Sequence, residues 1–158
     1  MSSVILPGSY DPVTNGHLEI IKRAALTFDE VYVVVFINPK KKYTFTTEER
    51  VSMLMLATEE LDNVLVSYSD GLVIDYMREH GIEKIVKGYR NEQDLAWERE
   101  QAEFNLINGG YETELWLCRN EMKEVSSTEA RRLIREGGDL SAILPEAVIN
   151  YIKSRELS

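Results

Sequence analysis

The stretch Leu6-Pro7-Gly8-Ser9-Tyr10-Asp11-Pro12-Val13-Thr14-Asn15-Gly16-His17 decides how this chain folds. Val4-Ile5-Leu6, where it begins, is an apolar, β-branched run that reads as a short buried strand. Pro7, Gly8, Asp11, Pro12, Asn15 and Gly16 then interrupt regular structure. Beyond them Leu18, Ile21, Ala25 and Phe28 recur at helical spacing, so a helix opens at about Asn15 to His17. A strand that passes through a glycine-containing turn into a helix N-terminus offers an anion outward-facing N–H groups and the positive end of the helix dipole. His17 stands in the first turn of that helix, within reach of such an anion.

Working outward, Val31-Tyr32-Val33-Val34-Val35-Phe36-Ile37 is apolar throughout, as suits a parallel strand buried on both faces. Asn38-Pro39 ends it and Lys40-Lys41-Lys42 follow. Thr46 and Glu49 have capping-box spacing and announce a helix with Val51, Leu54, Met55 and Thr58 on one face. Val64-Leu65-Val66 is a third strand, and a helix from about Leu72 to His80 is closed by Gly81. Glu83-Lys84-Ile85-Val86-Lys87 is a fourth strand ended by Gly88. Asp94 can cap a helix carrying Leu95, Glu98, Ala102 and Leu106, and Glu114-Leu115-Trp116-Leu117-Cys118 is a fifth strand. Helices over roughly Ser127 to Arg135 and from near Pro145 complete the chain. Strands alternating with helices through short loops indicate an α/β fold: a doubly wound, five-stranded parallel sheet flanked by helices, with C-terminal helices, as one domain over residues 1–158.

In such a sheet the ligand lies outside the carboxyl ends of the strands. Polar residues collect there: Ser9, Tyr10 and His17 after the first strand and the lysine run after the second. Lys87, Gly88, Tyr89 and Arg90 follow the fourth. Arg119 follows the fifth, and then come Ser126, Ser127 and Thr128 at a helix start. Convergent cations and hydroxyls suit a polyphosphate. They stand out because the chain's formal net charge is −9, which argues against nucleic-acid binding and against attachment to an anionic membrane. One cysteine, Cys118, excludes an internal disulfide, and two distant histidines leave no protein-ligated metal site. No leader pattern and no membrane-length apolar run are present, so a cytoplasmic protein is expected. There is no P-loop, no Gly-x-Gly-x-x-Gly fingerprint and no nucleophile elbow. Ordinary structural roles compete with the functional ones. A helix-start histidine can simply cap, Glu98 can sit on a solvated face, Asp94 can cap, and Ser126 with Glu129 has capping-box spacing. Cys118, Trp97 and Trp116 read as packing residues.

Residues 7–17 resemble the nucleotidylyltransferase signature of the adenylyl- and cytidylyltransferase superfamily. Thr14-Asn15-Gly16-His17 stands where the wider superfamily has His-x-Gly-His, a variant typical of the bacterial phosphopantetheine adenylyltransferase family. The resemblance implies a Rossmann-like fold. It implies adenylyl transfer from ATP to 4′-phosphopantetheine, with Mg²⁺, giving dephospho-coenzyme A and pyrophosphate, in a homo-oligomer that is typically a homohexamer. By position, His17 would stabilise the transition state, Ser9 would bind both substrates, and Tyr10 would contact ATP. Lys41 would serve the acceptor side and Val73 would line the pantetheine arm. Gly88, Tyr89, Arg90 and Glu98 would bind the nucleotide. Met122, Lys123, Glu124, Val125, Ser126, Ser127 and Thr128 would grip ATP and its phosphates. Lys87 would bind acceptor, but it replaces the first arginine of the family's Arg-Gly-Leu-Arg and lacks a bidentate grip. Ser126-Ser127-Thr128, with Arg131 in register, replaces a triple serine. The alternatives are a nucleotidylyltransferase for nicotinate mononucleotide or a cytidylyl acceptor, and a nucleotide-binding module without catalysis.

Overall fold

The computed structural model describes residues 2–156. It contains five strands, β1 (Ser3–Gly8), β2 (Glu30–Phe36), β3 (Val64–Ser69), β4 (Lys84–Tyr89) and β5 (Thr113–Leu117). Six α-helices accompany them: α1 (Asn15–Thr27), α2 (Thr47–Ala57), α3 (Val73–His80), α4 (Glu92–Gly109), α5 (Ser127–Glu136) and α6 (Glu146–Glu156). A 3₁₀ turn spans Asn120–Met122. All strand pairs are parallel and the sheet order is β3-β2-β1-β4-β5. This is the expected Rossmann-like α/β sheet. The chain runs outward from β1 to β3, then returns to build β4 on the other side of β1. The switch in direction therefore lies between β1 and β4, where such sheets bind ligands.

The two sides of β1 are not equivalent. It pairs with β2 from Ser3↔Glu30 to Gly8↔Val35, but with β4 only at Val4↔Lys84 and Ile5↔Ile85. Pro7 has no N–H to offer a second neighbour, so β1 and β4 separate toward their carboxyl ends. Strand pairing nevertheless carries Pro7 and Gly8 into β1, although both read as breakers. In the same way Gly88 and Tyr89 extend β4 by pairing with Trp116 and Leu117, and β3 continues to Ser69 through pairing with β2. A single parallel partner suffices to hold these residues extended, whatever their own propensity.

Val4, Val31, Val33 and Val35 form one core with Ile20, Ile21, Met53, Leu54, Val148 and Ile152, while Ile5, Val34 and Ile85 form another with Tyr76, Met77 and Ile82. Apolar residues thus cover both sheet faces. Helix α1 lies directly on β4, because a Cβ on Gly88 would come within 2.8 Å of the Ile20 side chain. Of the expected α2 face, Leu54 and Thr58 are buried and Val51 packs half-buried against the core, but Met55 is exposed, and Arg50 and Met53 are buried in addition. Helix α4 is capped by Asn91, one turn before its ion-paired Asp94, and none of its 18 residues is buried. Trp97, expected to pack, is 60% exposed on this helix, together with Phe104, Leu106 and Ile107. No helix among the described residues is long and apolar enough to cross a membrane.

Candidate active site

Two cavities open where β1 and β4 part. The first, about 340 Å³, lies over the α1 and α5 N-termini and is lined by Ser9, Tyr10, His17, Gly88, Tyr89, Arg90, Val125, Ser126, Ser127, Thr128 and Arg131, among others. The second, about 590 Å³, lies on the side of α3 and α4 and includes Phe36, Tyr43, Leu72, Val73, Trp97 and Phe104. Pro7, Gly8, Ser9, Lys41, Lys87 and Glu98 line both. The two spaces therefore meet at one small group of polar side chains.

His17 occupies the floor of the first cavity, and the way α1 begins dictates its chemistry. Thr14 is the N-cap; its Oγ1 accepts from the His17 N–H at 3.3 Å, while the Thr14 N–H donates to His17 Nδ1 at 3.0 Å. In this reciprocal box histidine takes the place usually held by glutamate or glutamine. Because Nδ1 is an acceptor, the neutral ring carries its proton on Nε2, which is left as a donor. The ring is half-buried by area, yet desolvation, then Lys87, then Arg90 lower its pKa to about 4. At neutral pH His17 is an uncharged donor. The capping geometry itself is what leaves Nε2 as the donor.

Tyr10 supports this arrangement. It has φ 48°, unusual for a residue with a side chain, and is held there by burial and by its hydroxyl donating to the Leu6 carbonyl at 2.8 Å. Its ring meets His17 edge-on at 4.9 Å, and a Cβ on Gly8 would crowd that ring at 3.0 Å. Burial, with Glu98 second, pushes the phenol well above its ordinary pKa, so it stays a donor. Although Tyr10 lines the cavity, its polar end is committed to its own loop.

The rest of that loop is held from outside. Lys87 Nζ donates to the Pro7 carbonyl at 2.9 Å and Arg50 Nη1 to that of Ser9 at 3.0 Å. Arg131 Nη1 donates to the carbonyl of Asp11, and Ser127 Oγ to that of Pro12, both at 2.8 Å. The buried Asp11 carboxylate accepts from the N–H groups of Thr44 and Phe45, tying the lysine-bearing loop to the same corner. Lys87 also lies 3.6 Å from Glu98, whose carboxyl is raised by burial and pulled back by Lys87. Arg90 grips Asp94 with Nε at 2.8 Å and Nη2 at 3.2 Å.

The expected site residues divide accordingly. Ser9, Tyr10, His17, Lys41, Lys87, Gly88, Tyr89, Arg90, Glu98 and Val125 to Thr128 come together, and Val73 lines the second cavity. Met122, Lys123 and Glu124 do not line either one, nor do Lys40, Lys42 and Arg119. Ser126 caps α5 by accepting from the Glu129 N–H. Cys118 is buried as expected but also borders the first cavity. Arg50 emerges only from the fold, since its partner is the Ser9 carbonyl, far away in sequence; Arg131, which reaches the Asp11 carbonyl, had a signal in its register with the serine cluster. The Thr14–His17 box was not read from the sequence, although Thr-x-x-His at capping-box spacing is the signal that could have shown it.

Comparison with known proteins places these features. Residues 5–133 match the cytidylyltransferase-like family. A phosphopantetheine adenylyltransferase of Clostridium novyi (strain NT) is 39% identical over 153 residues, covering 96% of this chain and 95% of that protein. The chain belongs to the phosphopantetheine adenylyltransferase family. Another phosphopantetheine adenylyltransferase, from Thermobifida fusca (strain YX), is 38% identical over 155 residues, covering 98% of this chain and 94% of the relative. The family match takes in His17, Lys41, Lys87 and Arg131, and stops short of α6.

Proposed function

We propose that this chain, as a single nucleotidylyltransferase domain, transfers the adenylyl group of ATP to 4′-phosphopantetheine, giving dephospho-coenzyme A and pyrophosphate. The observation that carries the reading is the meeting of two cavities at Ser9, Lys41, Lys87 and Glu98. The first cavity, with two helix N-termini, Arg90, Arg131 and the serine cluster, suits a nucleoside triphosphate. The second, with Phe36, Leu72, Val73 and Phe104 around Asn38 and Gln101, suits a long, mostly apolar arm that ends in a phosphate at the junction.

In the reaction, an oxygen of the acceptor phosphate attacks the α-phosphorus. A new P–O bond forms as the bond to the pyrophosphate oxygen breaks, and pyrophosphate departs with that electron pair. The attacking oxygen is already anionic, so no general base is needed. Catalysis is positioning and charge stabilisation. His17 Nε2–H donates to the oxygen on which charge develops, and Lys41 and Lys87 bring cations to the junction. Among the described residues no cluster of three or more acidic, histidine or cysteine side chains could hold a metal. The cavity carboxylates Asp11, Asp94 and Glu98 each face a protein donor or cation. Mg²⁺, which the family resemblance implies, would accompany ATP as part of the substrate and would offset charge on its phosphates.

The test is a turnover screen. With ATP and Mg²⁺, pyrophosphate release is expected with 4′-phosphopantetheine and not with nicotinate mononucleotide or a cytidylyl acceptor. Equal turnover of nicotinate mononucleotide would remove the acceptor assignment, and ATP binding without turnover of any acceptor would leave only a binding module. The exposed Trp97, Phe104, Leu106 and Ile107 on a helix with no buried residue support a homo-oligomer; the homohexamer that the family resemblance implies, and a cytoplasmic location, are proposed with it. Sedimentation equilibrium is expected to give six copies; a monomer at micromolar concentration would refute it.

A further inference from the structure

Arg50 is 1% exposed, and among the described residues no carboxylate is paired with it. Its neighbour Glu49 is engaged with Arg155 and with the Thr46 N–H. A buried guanidinium stays charged and is costly to leave without a counter-ion, so its neutral partners carry information about its use. They are the Ser9 carbonyl at 3.0 Å, Thr47 Oγ1 at 3.2 Å, and the Tyr43 ring, whose centroid lies 3.9 Å from the guanidinium carbon; Nε has no hydrogen-bond partner. Arg50 lines neither cavity.

Lys41 gives those partners a meaning. It is exposed, on the connection between β2 and α2, and its ammonium makes two contacts: Ser9 Oγ at 3.4 Å and the Tyr43 ring at 5.5 Å. Both belong to residues that Arg50 holds, Ser9 by its main chain and Tyr43 by its ring face. A flexible four-carbon side chain is thereby aimed at the junction of the cavities by two surfaces, each seated on one buried cation. The hydroxyl of Tyr43 also accepts from the Asn38 N–H, which joins the ring to the start of the lysine loop.

We propose that Arg50 is the positioning residue of Lys41: it never touches substrate, and it sets where the Lys41 ammonium stands through Ser9 and Tyr43. The proposal rests on the adenylyl-transfer reading only for the reaction in which Lys41 is used. Two measurements test it, one independent of activity. In the first, the ε-methylene NMR signals of Lys41 are followed. Arg50→Lys, or Tyr43→Leu on the half-buried ring, is expected to lower their order, and unchanged order in both variants overturns the proposal.

The second is a double-mutant cycle in the wild-type chain's own assay with ATP and 4′-phosphopantetheine. Lys41→Met is expected to lower kcat about 100-fold. Arg50→Lys alone should lower it about 10-fold, within the range that a small misplacement costs. In the Lys41→Met background Arg50→Lys should cost less than about 2-fold, because the two changes share one route. Equal factors in both backgrounds, in folded protein, would mean that Arg50 is merely structural. If Arg50→Lys does not fold, the same cycle with Tyr43→Leu decides, and additivity there overturns the proposal. A wild-type protein without turnover strikes the functional reading instead, and the NMR measurement still decides the role of Arg50.

Discussion

His17→Ala is expected to lower kcat by about 100- to 1,000-fold, the usual worth of one donor aimed at developing charge, while ATP binds almost as before. The split follows from geometry: the ring spends Nδ1 on the Thr14 N–H and has one donor left, whose benefit is largest when negative charge builds at the α-phosphate. Isothermal titration with ATP and a pyrophosphate assay check it; parallel losses in affinity and turnover would make His17 a ground-state binder. Because the free ring's pKa is about 4, rate should not fall between pH 8 and 6 through this group. Stability carries a matching signature. The folded pKa lies below the ordinary 6.5, so the unfolded chain binds the extra proton first as pH drops. The contribution of His17 is present above that ordinary value and is lost as pH falls toward 4. Urea denaturation at pH 7 and pH 5 should show the loss, and His17→Gln should abolish this part of it.

Lys87→Met is expected to lower kcat/KM for the acceptor about 100-fold, since it removes a cation from the place where both substrates bring negative charge. It should also raise the His17 pKa, because Lys87 is one of the groups holding it down. It leaves Glu98, already raised by burial, without its ion-pair partner. Kinetics and NMR titration of the imidazole provide independent readings. Lys87→Arg is the control: charge is kept, so the His17 pKa should stay low. Acceptor affinity equal to wild type in that variant would show that Lys87 acts on the loop through the Pro7 carbonyl rather than on the acceptor phosphate.

The α/β order was legible because it depends on periodicity and on short, strongly marked breaks. Thr46 with Glu49 and Gly81 marked helix ends where the structure has them. Pro7, Gly8 and Gly88 misled at strand ends, because local propensity cannot register a parallel neighbour supplied by a distant segment. His17, Ser9 and Lys41 were legible through a short contiguous motif and the rule for strand carboxyl ends. Arg50 was not: an arginine directly after the capping Glu49 looks like any helix-surface charge, and only the packing of α2 against the Ser9 loop turns it inward. Trp97 illustrates the converse, since an aromatic residue at helical spacing is core only if something covers it.

The loop between β1 and α1 has a further consequence. The carbonyls of Leu6, Pro7, Ser9, Asp11 and Pro12 are each engaged by a side-chain donor: Tyr10, Lys87, Arg50, Arg131 and Ser127. Five main-chain carbonyls of that stretch thus each accept one side-chain hydrogen bond before any ligand arrives. A visitor bringing hydrogen-bond donors, such as an amine or a polyol, finds little there to accept them, whereas one bringing only acceptors finds a welcome. On the proposed reading the corner would discriminate by hydrogen-bond polarity as well as by charge, and a chain with nine excess negative charges would keep one address for anions.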